Sequence, residues 1–322
     1  MSHVGRKIRV ALVQFDPQFG EVARNQATAA ELLAPLESAD IVVLSEMVFT
    51  GYVFNSKQEV APFVERGGTG ATFEWCRRQA QRLGSWVVAG FPEEVVNESD
   101  GSSVYYNSMM VVDRTGTLHT IYKKHFLYEQ DEHWAAEGPE FVSIHIPEFG
   151  QVGLGICMDL SPYQFKAPFE AFEFGTFHAA AKSTLLIICN GWLFAERDAD
   201  LAPGTITSTQ NYWALRLKPL IGSRANVLIC NRTGTERGTT AWLTNERGTG
   251  GADEIECESR NQVCRLDVCH EAGQAAVYAG TLWQQGSRSV GLYDQVDGGS
   301  RVEAWYNGVT RVRVGNTGRC LI

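Results

Sequence analysis

The sequence predicts a mixed α/β fold in a single domain over residues 1–322. Apolar runs of four to eight residues, rich in β-branched side chains, alternate with amphipathic stretches of helical spacing through the first two-thirds of the chain. Polar or glycine-marked turns separate several neighbouring runs, as antiparallel hairpins require. Three of the runs also end in a reactive side chain, which is where α/β enzymes place their chemistry.

The elements follow in order. Ile8 to Phe15 is an apolar run closed by Asp16-Pro17, so it reads as a buried strand. Asn25 is a suitable cap for a helix carrying Ala29, Leu32, Leu33 and Leu36 at helical spacing. Ile41 to Leu44 is a short buried strand that delivers Ser45-Glu46-Met47 to its end. Phe73 to Leu83 reads as an amphipathic helix, and Ser85 to Phe91 as a strand. The polar turn Asn97 to Ser103 and the tight turn Arg114 to Thr117 bracket a strand at Val104 to Val112. Leu118 to Tyr122 then leads into the loop KKHFLYEQDEHWAAEGPEF. Phe141 to Ile146 and Val152 to Ile156 are strands, the second running into Cys157. A helix is expected over Phe172 to Lys182, a strand at Leu185 to Cys189, a helix at Ser208 to Leu217 and a strand at Val227 to Cys230. Beyond Gly248 the pattern thins to a glycine-rich turn at Gly248 to Asp253 and strands at Val263 to Val268, Val302 to Tyr306 and Thr310 to Val314.

A net charge of −9 with no basic block argues against general affinity for nucleic acid or anionic lipid. The N-terminal apolar run is too short and strand-like for a signal peptide, and no run is long enough to span a bilayer. A cytoplasmic, or also nuclear, location is therefore expected. The eight cysteines are scattered, without paired CxxC spacing. Cys264, Cys269 and His270 form the one grouping that resembles a metal site, but their spacing is irregular and no metal is expected.

Cys157 stands out because turn residues follow it at once, in GLGICMDLSPYQFKAPFEAFE. A cysteine at such a strand exit presents its thiol to a cleft and frees the backbone N–H of the next residue as a donor. Its thiolate is the attacking form, so it needs a nearby base and cation. Glu46 and one of the two lysines Lys123 and Lys124, each at a strand end, are the candidates. A Cys-His hydrolase built on His125 or His133 is the rival arrangement, although neither the CGSCW nor the QACRG signature is present.

In the order LSEMVFTGY, YKKHFLY, GICMDL, these segments resemble the Glu-Lys-Cys triad of the nitrilase, or carbon–nitrogen hydrolase, superfamily. SRANVLICNRTG resembles a later segment of the same family. The resemblance implies an αββα four-layer sandwich of two mixed sheets, with the triad at one end and no cofactor. It selects Lys124, the second lysine, in place of the family's YRK lysine. It also implies a supporting acid in the following loop, assigned to Glu132 with Glu129 as the alternative, and an oxyanion donor at the Met158 N–H. The runs GICMDLSPYQFKAPFEAFEF and KKHFLYEQDEHW are similar to the fungal-type protein N-terminal amidases. That likeness implies deamidation of N-terminal Asn and Gln on proteins or peptides, feeding the N-degron pathway of protein degradation, by a monomer or homodimer. Ser45 departs from the proline common at that position, and the chain after Gly248 matches nothing in the pattern. Small-molecule amidases, nitrilases and carbamoylases use the same triad and remain the alternative, with an inactive binding scaffold more remote. A terminal-residue amidase must also read an α-ammonium group, for which Asp159 is the candidate, with a structural role tying down the turn after Cys157 as the alternative; Trp192 is the candidate pocket wall, with a core aromatic as the alternative.

Overall fold

In a computed structural model, the chain is described over residues 7–193, 208–221, 223 and 225–237, followed by the backbone of seven strands between 262 and 321. The first sheet contains β1 (Lys7–Gln14), β2 (Ile41–Leu44), β3 (Trp86–Val96), β4 (Ser103–Val112) and β5 (Leu118–Lys123) side by side. The second contains β6 (Val142–Ile146), β7 (Gly150–Ile156), β8 (Leu185–Cys189) and β9 (Asn226–Cys230). Strand β10 (Gln262–Cys269) pairs antiparallel with β1, and β11 (Ala276–Ala279) extends the second sheet beside β9. Strands β12 (Trp283–Gln284) and β13 (Ser289–Val290) pair with each other. Finally β14 (Glu303–Tyr306), β15 (Thr310–Val314) and β16 (Cys320–Leu321) widen the first sheet to nine strands.

Strands β1, β2 and β3 are mutually parallel, and two antiparallel pairings bring β5 back into their direction. In the second sheet β7, β8 and β9 are parallel. Glu46 and Lys124 therefore leave the same edge of one sheet, and Cys157 and Asn190 leave the corresponding edge of the other.

Three apolar layers hold the sandwich together. Val10, Leu12, Val43, Val88 and Met109 from the first sheet meet Ile156, Ile187, Cys189 and Leu228 from the second. Ala29, Leu33, Trp75, Cys76 and Ala80, on α1 (Val22–Leu33) and α3 (Ala71–Leu83), cover the outer face of the first sheet; the short α2 (Lys57–Val60) lies between them in sequence. Phe174, Trp213 and Leu217, in and beside α4 (Glu173–Ala180) and α5 (Ser208–Arg216), cover the outer face of the second. This is the expected helix–sheet–sheet–helix layering, and its strands bury residues on both faces because each sheet is covered on both sides. No helix among the described residues is long and apolar enough to cross a membrane.

Several boundaries differ from the sequence reading. Helix α1 begins at Val22, so Asn25 is an internal residue rather than the cap. Its buried carboxamide accepts from Gln18 N–H and donates to the carbonyls of Gln18 and Phe49, tying the helix to the loop after β2. Strand β3 runs five residues past Phe91, because the hairpin with β4 continues to the Val96–Ser103 pair. Helix α4 is shorter than expected at both ends, since Phe172 (φ 46°) and Lys182 (φ 55°) adopt left-handed backbone that no helix continues through. The turn expected at Gly248 to Asp253 lies outside the described residues. So do the side chains of Cys264, Cys269 and His270.

Candidate active site

Each reactive side chain is presented by a local backbone device. After β2 the chain turns sharply, with Met47 in left-handed conformation (φ 48°), and presses against β3 at Gly90. A Cβ on Gly90 would lie 2.7 Å from the Glu46 Cα, so only glycine lets the two segments meet. Cys157 opens a 3-10 turn, Cys157–Leu160, with φ 41°. Met158 stands in the first turn of that element, where N–H groups have no intrahelical acceptor.

Glu46, Lys124 and Asp131 are wholly buried, at 0 % exposure, and Cys157 is 8 % exposed. Lys124 Nζ donates to Glu46 Oε1 at 2.7 Å and to Asp131 Oδ2 at 2.6 Å. Asn107, on β4, uses its Nδ2 to bridge the same two carboxylates, 2.7 Å from Glu46 Oε1 and 2.9 Å from Asp131 Oδ1. The other Glu46 oxygen accepts the Gly191 N–H at 2.7 Å. Lys123, by contrast, points to the half-exposed face of β5, 3.5 Å from Glu93, as strand alternation requires.

Two buried carboxylates share one ammonium, and the ionisation of Glu46 reflects it. Burial pushes the Glu46 carboxyl above its ordinary value, and Asp131 adds to the rise, while Lys124 and the Asn107 hydrogen bond oppose it. Burial alone would lower the Lys124 ammonium; Asp131, Glu46 and Cys157 together outweigh it and hold the lysine charged. Burial and the Glu46 charge raise the Cys157 thiol, against the lowering influence of Lys124 and the Gly191 N–H. The resting arrangement is therefore a thiol beside an elevated carboxylate base and a permanent cation.

The loop acid that faces Lys124 is not Glu132 or Glu129 but Asp131. Glu132 is exposed, and Glu129 is exposed as well; neither contacts the lysine. Asp131 takes the contact because the short 3-10 turn Asp131–His133 directs it inward, where Tyr128 N–H donates to it at 3.0 Å. Asp159 takes the structural one of its two expected roles. Its Oδ2 accepts from Ile156 N–H and Tyr122 OH, both at 2.8 Å, and its Oδ1 from His125 N–H at 3.2 Å and Phe126 N–H at 2.8 Å. Four donors from the chain occupy its oxygens, so it fastens the nucleophile turn to the loop after β5 and has nothing left for an ammonium group. Trp192 is half-buried, with its ring 5.6 Å from those of Tyr212 and Trp213; it joins the aromatic cluster under α5. His125 Nδ1 is paired with Gly138 O at 2.7 Å, and His133 is exposed, so neither forms a Cys-His pair with Cys157.

Sequence reading missed Asn107, Asp131, Asn190 and Glu236. Glu236 is buried beside Arg232 and accepts the N–H groups of Tyr52 and Val53, which braces the loop after Glu46. Only the run NRTGTE, directly after β9, carried a signal for it.

The carbon-nitrogen hydrolase family model matches residues 9–162. The Protein N-terminal amidase of Schizosaccharomyces pombe is 34% identical over 249 residues, covering 71% of this chain and 86% of that protein. The chain belongs to the carbon-nitrogen hydrolase family. The Protein N-terminal amidase of Saccharomyces cerevisiae is 28% identical over 67% of this chain, which spans only 53% of that longer protein. A crystal structure of an N-terminal amidase with an Asn-Glu-Ala peptide superposes with a TM-score of 0.54 at 25% identity, covering 65% of this chain and 53% of the other. This carbon-nitrogen hydrolase thus spans about half the length of those two relatives, and the family match at residues 9–162 includes Glu46, Lys124 and Cys157.

Proposed function

We propose that this chain is an amidohydrolase that removes the side-chain amide of an N-terminal Asn or Gln on a protein or peptide, releasing ammonia through a thioester on Cys157. The observation that carries the chemistry is the buried Glu46–Lys124 pair at 2.7 Å, set at the same edge as a cysteine in left-handed backbone. The substrate class rests on the likeness to the N-terminal amidases.

An unactivated carboxamide is a poor electrophile, so the site must supply a sulfur nucleophile, a proton acceptor and stabilisation for the oxyanion. Glu46, its basicity raised by burial, takes the Cys157 proton as the sulfur attacks the amide carbon. Lys124 and the Met158 N–H hold the negative oxygen of the tetrahedral intermediate. Glu46 returns the proton to the leaving nitrogen, and ammonia departs as the thioester forms. A water deprotonated by Glu46 then attacks the thioester, releasing Asp or Glu at the N-terminus and restoring the thiol. Throughout, Asp131 keeps a negative partner on Lys124 at 2.6 Å, so the lysine stays charged while Glu46 alternates between its two forms.

With Asp159 occupied, acceptors for the substrate's α-ammonium must come from elsewhere. A cavity of about 290 Å³ adjoins the nucleophile turn, lined by Met158, Leu127, Glu129, Glu132, Gln164, Phe165 and Lys166. Its two glutamates are suited to the positive terminus of a bound peptide.

The test is ammonia release from Asn-Xaa, Gln-Xaa and acetyl-Asn-Xaa peptides and from a simple nitrile. Turnover of the first two with none on the acetylated peptide is expected. Equal rates on the acetylated peptide, or a preference for the nitrile, would assign the chain to the small-molecule branch of the family.

A further inference from the structure

The base and the nucleophile come from different sheets, so their separation depends on whatever joins the two edges. Beside the Asp159 cross-link, Asn190 and Gly191, directly after β8, form a second join, the one that reaches Glu46 itself. Asn190 N–H donates to Cys230 O at 2.7 Å, which anchors the residue to its own sheet. Its carbonyl accepts the Glu46 N–H at 3.3 Å from the other sheet, and its Oδ1 accepts the Cys157 N–H at 3.1 Å. Gly191 N–H completes the junction at Glu46 Oε2, 2.7 Å away.

The contact to Cys157 falls where the backbone most needs one. A residue with a Cβ held at φ 41° is strained and stays there only when its surroundings fix it. The orientation of the Asn190 carboxamide is determined by chemistry, because the atom facing an N–H donor must be the oxygen. Its Nδ2 is then left buried without a partner among the described residues. An unpaired buried donor is destabilising, which argues against a purely stabilising role for this side chain.

We propose that Asn190 is a positioning residue, whose carboxamide oxygen holds the Cys157 backbone in its left-handed turn and so sets the sulfur against Glu46. The inference rests on Cys157 being the nucleophile of the reaction described above. Asn190 acts through that nucleophile and not on the substrate.

Three proteins, wild type, Asn190→Leu and Asn190→Asp, test it through steady-state kinetics on an Asn-Xaa peptide across pH and through iodoacetamide labelling of Cys157 followed by mass spectrometry. Leucine keeps the branched shape and removes the acceptor; a nucleophile displaced by even an ångström loses on the order of 10²-fold in rate, so kcat should fall by that amount with KM within about threefold. Labelling should slow by roughly tenfold, because the thiolate leaves the Gly191 N–H and Lys124. Aspartate restores the acceptor but adds a charge that raises the thiol further, so its activity should recover at higher pH, on a profile shifted upward. Wild-type kcat and labelling in the leucine variant would overturn the proposal. So would an aspartate variant, folded by thermal melting, that is no better than leucine at any pH. A wild type that labels at Cys157 but releases no ammonia would count against the substrate reading alone, and the labelling comparison would still decide the role of Asn190.

Discussion

Asp131 and Asp159 are both completely buried, and both serve the loop after β5, yet their charges are compensated in different ways. Asp131 faces the Lys124 ammonium at 2.6 Å and shares the Asn107 amide with Glu46. Asp159 faces four neutral donors, three N–H groups and the Tyr122 hydroxyl, and burial raises its carboxyl to about 6 despite them. A carboxylate paired with the cation of the site sets the electrostatics of the reaction. One surrounded by neutral dipoles works as a cross-link, and its contribution is to stability.

That contrast can be broken or sharpened by substitution. The reference effect, and the largest, is loss of the proposed triad: Cys157→Ala, Glu46→Gln and Lys124→Ala should each lower kcat by ~10³-fold or more in folded protein, without adding in double variants. A matched Lys123→Ala should be nearly silent, and retention of a tenth of the activity by any triad variant would refute the assignment. Asp131→Asn should come next, with kcat reduced by roughly 10²-fold, because Lys124 then has only Glu46 as its anion and loses its fixed position. Ammonia release under saturating peptide measures both.

Asp159→Asn should spare the chemistry, with kcat per folded molecule within about tenfold, and lower stability by around 2–4 kcal/mol, because an amide cannot accept from all four donors. The sign of its pH dependence follows from a folded value of about 6 against an ordinary 3.8. The protonated form is favoured in the fold, so the wild type keeps this contribution below the unfolded value and loses it as pH rises through the folded one. The stability gap between wild type and Asp159→Asn should therefore narrow by up to about 3 kcal/mol from pH 4 to pH 7 in urea titrations. Glu132→Gln should have the smallest effect, raising KM for free-amine peptides by less than about tenfold while leaving kcat and Tm unchanged. A collapse of kcat in that variant would return the supporting role to Glu132.

Glu46, Cys157 and the Lys123-Lys124 pair could be picked out as candidates because each closes an apolar run, while the choice of Lys124 came from the family resemblance. The strands were legible for the same reason, as in LLIIC, whereas the four-layer arrangement came only from the resemblance to the carbon–nitrogen hydrolases. Asp131 was not, because choosing between it and Glu132 is a one-residue decision made by the 3-10 turn and the Tyr128 N–H, neither visible in EQDEHW. Asn107 was hidden inside a run that reads correctly as strand, with nothing in SVYYNSMMVV to say which polar residue faces the site. Asn25 had the chemistry of a cap but lies inside α1, where its side chain serves a distant loop instead.

The acid limb of kcat/KM tests the distinction between the two aspartates most directly, since it reports the ionisation of the base in the free enzyme. Glu46 is raised by burial and then by the neighbouring charge of Asp131. Removing that charge in Asp131→Asn should move the limb to lower pH, even as the maximal rate falls, whereas Asp159→Asn should leave the limb where the wild type has it. A limb that stays in place or rises in Asp131→Asn, or that moves equally in both variants, would contradict the account.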